Sequence, residues 1–134
     1  MQPTGAIHHL DLTVRDLAIS TAFYDSVLIP LGFVRGPDIP EEPIWAGADC
    51  ELGLQVAQSE GTHDRYVPGL HHLALTAPTP DAVDAYHRRL IELGVRILDA
   101  PAAYPEYGPG YYAVFFADPD GMKLEYVFTP PPGA

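Results

Sequence analysis

The sequence predicts an α+β fold built from two tandem βαβββ modules, a cupped mixed sheet with its helices outside. Three observations predict it: an internal repeat, a period-2 apolar pattern that gives way to a helical one in each half, and turn residues that close the elements. Residues 7–13 read Ile-His-His-Leu-Asp-Leu-Thr, and residues 70–76 read Leu-His-His-Leu-Ala-Leu-Thr, an offset of 71 − 8 = 63. Phe23-Tyr24 falls on Tyr86-His87 at the same offset, and Leu28–Gly32 falls on Leu90–Gly94 at 62. An offset of 70 lays Leu52–Val56 on Met122–Tyr126. Matches in series, with order and spacing kept, point to a duplication. The modules span about residues 6–58 and 70–129 of one domain covering 1–134.

Each module opens on a strand. His9, Asp11 and Thr13 alternate with Leu10, Leu12 and Val14, as His72, Ala74 and Thr76 do with Leu73 and Leu75, the pattern of a half-buried strand. A helix follows in each. Asp16 is the expected N-cap of the first, and Pro30 with Gly32 its end; Thr79 caps the second, Pro80 suits its first position and Gly94 its stop. Three strands complete each module. In the first they lie near Phe33-Val34, near Ile44–Ala46 and over Glu51–Ala57, and in the second over Val95–Leu98, Tyr111–Ala117 and Met122–Phe128. Asp118-Pro119-Asp120-Gly121 is a tight-turn sequence joining the last two. Ser59–Gly69 is too short to separate independent domains, and the tail from Pro130 to Ala134 is expected to be loose.

Composition narrows the partners. The formal net charge is −11, from 18 Asp and Glu against 7 Lys and Arg. Such a surface repels phosphate backbones and anionic lipid, so neither nucleic acid nor membrane is an expected partner. A small molecule is. Cys50 is the only cysteine, residues 1–5 carry no cationic lead into an apolar run, and no apolar run reaches the length of a membrane span. A cytoplasmic location is the expectation. Edge strands in each module call for cover, which makes a homodimer the expected assembly.

His9 and His72 occupy equivalent places on equivalent strands. The 70-residue offset likewise matches Gln55 with Glu125 on the closing strands, facing away from Leu52, Leu54 and Val56 and from Met122, Leu124 and Tyr126. Two imidazoles and a carboxylate suit a borderline divalent ion (Fe, Mn, Ni, Co or Zn), with Gln55 adding a neutral oxygen. Paired histidines on an apolar strand are often just structural, so the residues alone leave that role open. His8 and His71 are expected to face the other way as structural residues, and Glu51 to stay solvated. The segment Tyr104–Tyr112 can wall a pocket, with Glu106, Tyr107 or Tyr111 reaching in, or can pack locally. Trp45 lines the same cup or fills core.

Ile7–Leu17, followed by Phe23-Tyr24 and Leu31-Gly32-Phe33, resembles the opening of the vicinal oxygen chelate superfamily. That group holds glyoxalase I, bleomycin-resistance proteins, fosfomycin-resistance transferases and extradiol dioxygenases. Asp118–Glu125 resembles its closing hairpin, so the resemblance covers about residues 6–129. It implies metal ligation by His9, His72 and Glu125, and a glyoxalase-like lyase or isomerase acting on a small oxygen-bearing substrate. Glu125, Glu106 and Tyr107 are the candidate catalytic residues. The alternatives are a drug-binding protein without catalysis, which the retained histidines argue against, or a small extradiol-type dioxygenase. One departure stands out: glutamine cannot accept a proton, so Gln55 does not replace the base that glyoxalase I enzymes usually carry in the first module.

Overall fold

The structure, a computed structural model, describes residues 3–133. The chain divides into two compact units, Met1–Gly61 and Thr62–Ala134, each with one helix and one four-stranded mixed sheet.

In unit 1 the order is β1 (His9–Val14), α1 (Leu17–Leu28), β2 (Val34–Arg35), β3 (Ile44–Ala46) and β4 (Glu51–Val56). The sheet runs β1-β4-β3-β2, with β1 parallel to β4 and the other pairs antiparallel. Asp16 caps α1, its Oδ1 accepting from the Ile19 amide at 3.0 Å. A 3-10 turn over Ile29–Leu31 contains Pro30 and ends at Gly32, whose φ of 97° is one that a side chain would strain. Leu12, Val14, Leu52, Leu54 and Trp45 are buried on one side of the sheet, and Tyr24, Val27 and Leu28 are buried on α1. Trp45 is core: it is fully buried and its indole N–H donates to Asp25 Oδ1 at 2.8 Å. Arg35 donates to both oxygens of Asp25 at 3.0 Å, tying α1, β2 and β3 together.

In unit 2 the order is β5 (His72–Thr76), α2 (Pro80–Glu92), β6 (Arg96–Ala103), β7 (Tyr112–Ala117) and β8 (Lys123–Phe128), the sheet running β5-β8-β7-β6. Thr79 caps α2 through Oγ1, which accepts from the Ala82 amide at 3.0 Å. Gly94, the counterpart of Gly32, again takes positive φ, 73°. Val83, Tyr86 and Leu90 are the buried face of α2. The Tyr86 ring lies 5.7 Å from Phe116 and 4.7 Å from Tyr126. Burial first, and the Tyr126 phenol second, push the Tyr86 hydroxyl well above its ordinary value. Tyr112 donates to Asp84 at 2.6 Å, pinning β7 to the helix. Alternation then turns Tyr111, Phe115, Glu125 and His72 to the opposite face. In the closing turn Asp118 Oδ1 accepts from the amides of Asp120 and Met122, both at 2.8 Å.

Several boundaries shift. β2 begins one residue later than expected, and β6 runs to Ala103 with two register irregularities against β7 that let it continue past Leu98. Val56 is half-exposed at 50% rather than packed on a helix. The expected loose tail is anchored at its start, because Pro130 Cγ stands 2.6 Å from where a Gly110 Cβ would be; Ala134 lies outside the described residues. No helix among the described residues is long and apolar enough to cross a membrane.

Leu90 is fully buried while its neighbour Ile91 is 56% exposed. Leu90→Ala should lower unfolding free energy by about 2–5 kcal/mol and Ile91→Ala by at most about 0.5 kcal/mol, read by urea denaturation. Equal losses would mean that α2 is turned otherwise.

Candidate metal and substrate site

The second-module histidine and carboxylate meet within unit 2. β5 and β8 run parallel with His72 opposite Lys123 and Ala74 opposite Glu125. His72 and Glu125 are therefore diagonal neighbours on one face, within reach of long side chains. His72 Nε2 lies 3.1 Å from Glu125 Oε1. Glu125 is 1% exposed, whereas the His72 side chain is 36% exposed. The Tyr111 hydroxyl donates to the other oxygen, Glu125 Oε2. Loss of water around the phenol, then the bond to Glu125 and the carboxylate charge, raise the Tyr111 hydroxyl far above its ordinary value, so it stays a donor.

The hydrogen-bond chemistry fixes the tautomers. A carboxylate only accepts, so with Glu125 ionised His72 carries its proton on Nε2. In the neutral ring Nδ1 is then an acceptor, and across the contact of 2.7 Å His71 Nδ1 is the donor. His71 is held below its ordinary value, first by desolvation and then by the charges of His72, Lys123 and Arg65. His71 thus orients the His72 ring, in place of the separate structural role the alternation gave it. Unit 1 repeats the arrangement: His8 Nδ1 and His9 Nδ1 are 2.9 Å apart.

The register corrects one equivalence. In unit 1 His9 stands opposite Glu51 and Asp11 opposite Gly53. Matching His9–Glu51 to His72–Lys123 sets the closing-strand offset at 123 − 51 = 72, not 70. Glu125 therefore corresponds to Gly53, and Gln55 lies two residues further along the same face. A Cβ on Gly53 would sit 2.5 Å from Asp11 Oδ1, so the Asp11 carboxylate lies over the glycine. A cavity of about 280 Å³ opens on this face of unit 1, lined in part by His9, Asp11, Glu42, Glu51 and Gln55.

Of the residues in the tyrosine-rich segment, Tyr111 is the one that touches Glu125. Tyr107 is 65% exposed, stacks on Tyr104 at 5.6 Å and meets Tyr111 edge-on at 5.4 Å. Glu106 is exposed in the 3-10 turn Pro105–Tyr107. Two residues that sequence reasoning passed over complete the face. Phe115 lies beneath Tyr104 at 5.6 Å and beside His72 at 6.4 Å, and Lys123 holds its ammonium 4.5 Å from the Phe115 ring centre.

Chemically, His72 Nε2 and Glu125 Oε1 are a nitrogen and an oxygen converging on one point, with the carboxylate aligned from behind by Tyr111. That donor pair fits a divalent ion. Among the described residues of unit 2, no third His, Cys, Asp or Glu joins it. Tyr111→Phe leaves the buried Glu125 with one partner fewer and should cost about 1–3 kcal/mol of stability, measured by thermal or urea unfolding; a neutral result would mean that the hydroxyl does not serve Glu125.

Comparison with known proteins agrees with this architecture. The family model for the Glyoxalase/Bleomycin resistance protein/Dioxygenase superfamily matches residues 6–126. The chain is 32% identical over 124 residues to the uncharacterised protein YqjT of Bacillus subtilis, covering 90% of this chain and 97% of that one. It is 26% identical over 122 residues to the metallothiol transferase FosB of Bacillus licheniformis, covering 89% and 72%. Among solved structures, a Bacillus halodurans protein that carries the glyoxalase name superposes with a TM-score of 0.80 at 30% identity, covering 93% of this chain and 96% of that one. The lactoylglutathione lyase of Agrobacterium tumefaciens shares the fold, with a TM-score of 0.72 at 24% identity over 95% and 96%. Repeat, register and family match agree: the chain belongs to the Glyoxalase/Bleomycin resistance protein/Dioxygenase superfamily.

Proposed function

We propose that this protein is a metal-dependent enzyme of the glyoxalase-like kind, a lyase or isomerase acting on a small oxygen-bearing molecule. The observation that carries the reading is Glu125: a carboxylate almost wholly removed from water, held by Tyr111 and faced by His72 at 3.1 Å. Burying a carboxylate costs several kcal/mol unless a cation or donors meet it, and a divalent ion is the partner that an imidazole and a carboxylate together select. His72 and Glu125 are the proposed donors of the second module, and His9 is the proposed donor of the first. Gln55 falls outside this set, because Gly53 occupies the step that matches Glu125. A divalent ion supplies Lewis-acid stabilisation to negative charge developing on a substrate oxygen. The chain's own part is orientation. When His71 Nδ1 accepts from His72 Nδ1–H, His72 Nε2 is free to bind, and Tyr111 holds Glu125 Oε2 while Oε1 faces His72. Glu106 and Tyr107 are proposed as substrate-facing groups of the tyrosine-rich segment. The relationship to FosB, a metallothiol transferase, supports the metal.

The purified protein should hold about one divalent ion per chain. His72→Ala and Glu125→Ala should each weaken binding by at least about 10–100-fold while circular dichroism stays that of the wild type. Metal analysis after exposure to Fe, Mn, Ni, Co and Zn reads this. A wild type as empty as both variants would place the protein with the drug-binding members of its superfamily instead.

A homodimer is the proposed state, because β1 and β5 are edge strands that closed pairing would cover; a cytoplasmic location is proposed beside it. Light scattering should give twice the 14.6 kDa chain mass; a monomer at all workable concentrations would refute it.

A further inference from the structure

Lys123 is the only lysine in the chain. It stands on β8, directly opposite His72 and two residues before Glu125, on the same face as both. We propose that Lys123 is a specificity residue: it receives an anionic oxygen group, a carboxylate or a phosphate-type group, on the molecule whose reacting oxygen lies at His72 and Glu125. The inference rests on the reading of this face as the site.

Three observations carry it. β8 lies between β5 and β7, so Lys123 does not serve the usual purpose of lysine on an exposed edge strand, which is to deter strand pairing. Its ammonium is held over Phe115 at 4.5 Å, which keeps the stem on the face and aims the charge along it. No carboxylate among the described residues of unit 2 pairs with it, so the charge is not spent on an internal ion pair. The span is right for a small molecule: two residues of strand separate Lys123 and Glu125 by about 7 Å. An anionic substrate also needs such a cation here, because the chain as a whole carries a net charge of −11 and repels it.

The single lysine makes the test direct. Reductive methylation with 13C-formaldehyde keeps the charge and marks only Lys123 and the terminal amine, which serves as the internal reference. Methyl phosphate and glycolate are titrated separately, both with Zn(II) present and after metal removal, at fixed ionic strength. The expected result is a saturable shift of the Lys123 methyl signal with at least one probe, the terminal signal staying still. Saturation by methyl phosphate alone assigns a phosphate-type group, and by glycolate alone a carboxylate. Calorimetry on the unmethylated protein should show Lys123→Met, which keeps an apolar stem over Phe115, weakening that probe roughly tenfold or more; Lys123→Arg should retain most of the binding. No saturable Lys123 shift under either metal condition, or undiminished binding by Lys123→Met, would overturn the proposal. Mn(II) supplies a separate readout of the metal reading: an ion at His72 and Glu125 broadens the Lys123 signal. Anion shifts without broadening would leave Lys123 its role and remove the metal.

Discussion

The buried carboxylate of Glu125 is the constraint around which unit 2 is arranged. A charge at 1% exposure is tolerated only where donors or cations surround it. Each neighbouring strand answers that demand. Across β5, Ala74 presents only a methyl group opposite Glu125, and His72 reaches in diagonally. From the start of β7 comes the Tyr111 hydroxyl. Beneath lies Phe115, directly opposite Glu125 on β7. Tyr112, one residue on, is turned by strand alternation to the helix side and fastened to Asp84. The same alternation that builds the core against α2 therefore delivers the polar face.

Unit 1 solves the equivalent position differently. Its cross-strand pair is Asp11 on β1 with Gly53 on β4, where unit 2 has Ala74 with Glu125. In each pair one residue is small and the other carries a carboxylate, but the strands that carry them are exchanged. Gly53 cannot be filled while Asp11 lies over it, for a Cβ would stand 2.5 Å from Asp11 Oδ1. The two modules thus carry the carboxylate of this step on opposite strands. The paired imidazoles, by contrast, were kept whole: His8 with His9 and His71 with His72 make the same Nδ1 contact.

Much of this was legible in the residues. The caps at Asp16 and Thr79, the stops at Gly32 and Gly94, and the Asp118–Gly121 turn are local signals whose physics needs no tertiary context. The offset between the closing strands was not legible. Apolar residues alternate with period 2, so shifts of 70 and 72 residues keep the same faces and match equally well by pattern; only the pairing of His9 with Glu51 and of His72 with Lys123 chooses between them. The role of His71 was hidden for a related reason. Alternation sends it away from His72 within a regular strand, but β5 begins at His72, and the preceding backbone is free to bring the two rings together. Tyr111 could be nominated from its segment but not singled out from Glu106 and Tyr107, because that depends on which face β7 presents to Glu125. Lys123 and Phe115 read as ordinary strand residues until the register set them beside the pair.

The central claim is that His72 Nε2 and Glu125 Oε1 hold a divalent ion. The tautomer of His72 tests it most directly, because the two states differ in which nitrogen carries the proton. In metal-free protein Nε2 faces the Glu125 carboxylate at 3.1 Å, where an ionised Glu125 requires it to donate. Two-bond 15N–1H correlation spectra of 15N-histidine-labelled protein, with His72 assigned by its loss in His72→Ala, read both nitrogens before and after saturation with Zn(II). The expected result is that the ion displaces the proton from Nε2 and that Nδ1 becomes the protonated nitrogen, donating to His71. A His72 ring that keeps Nε2–H at saturating Zn(II) would contradict it.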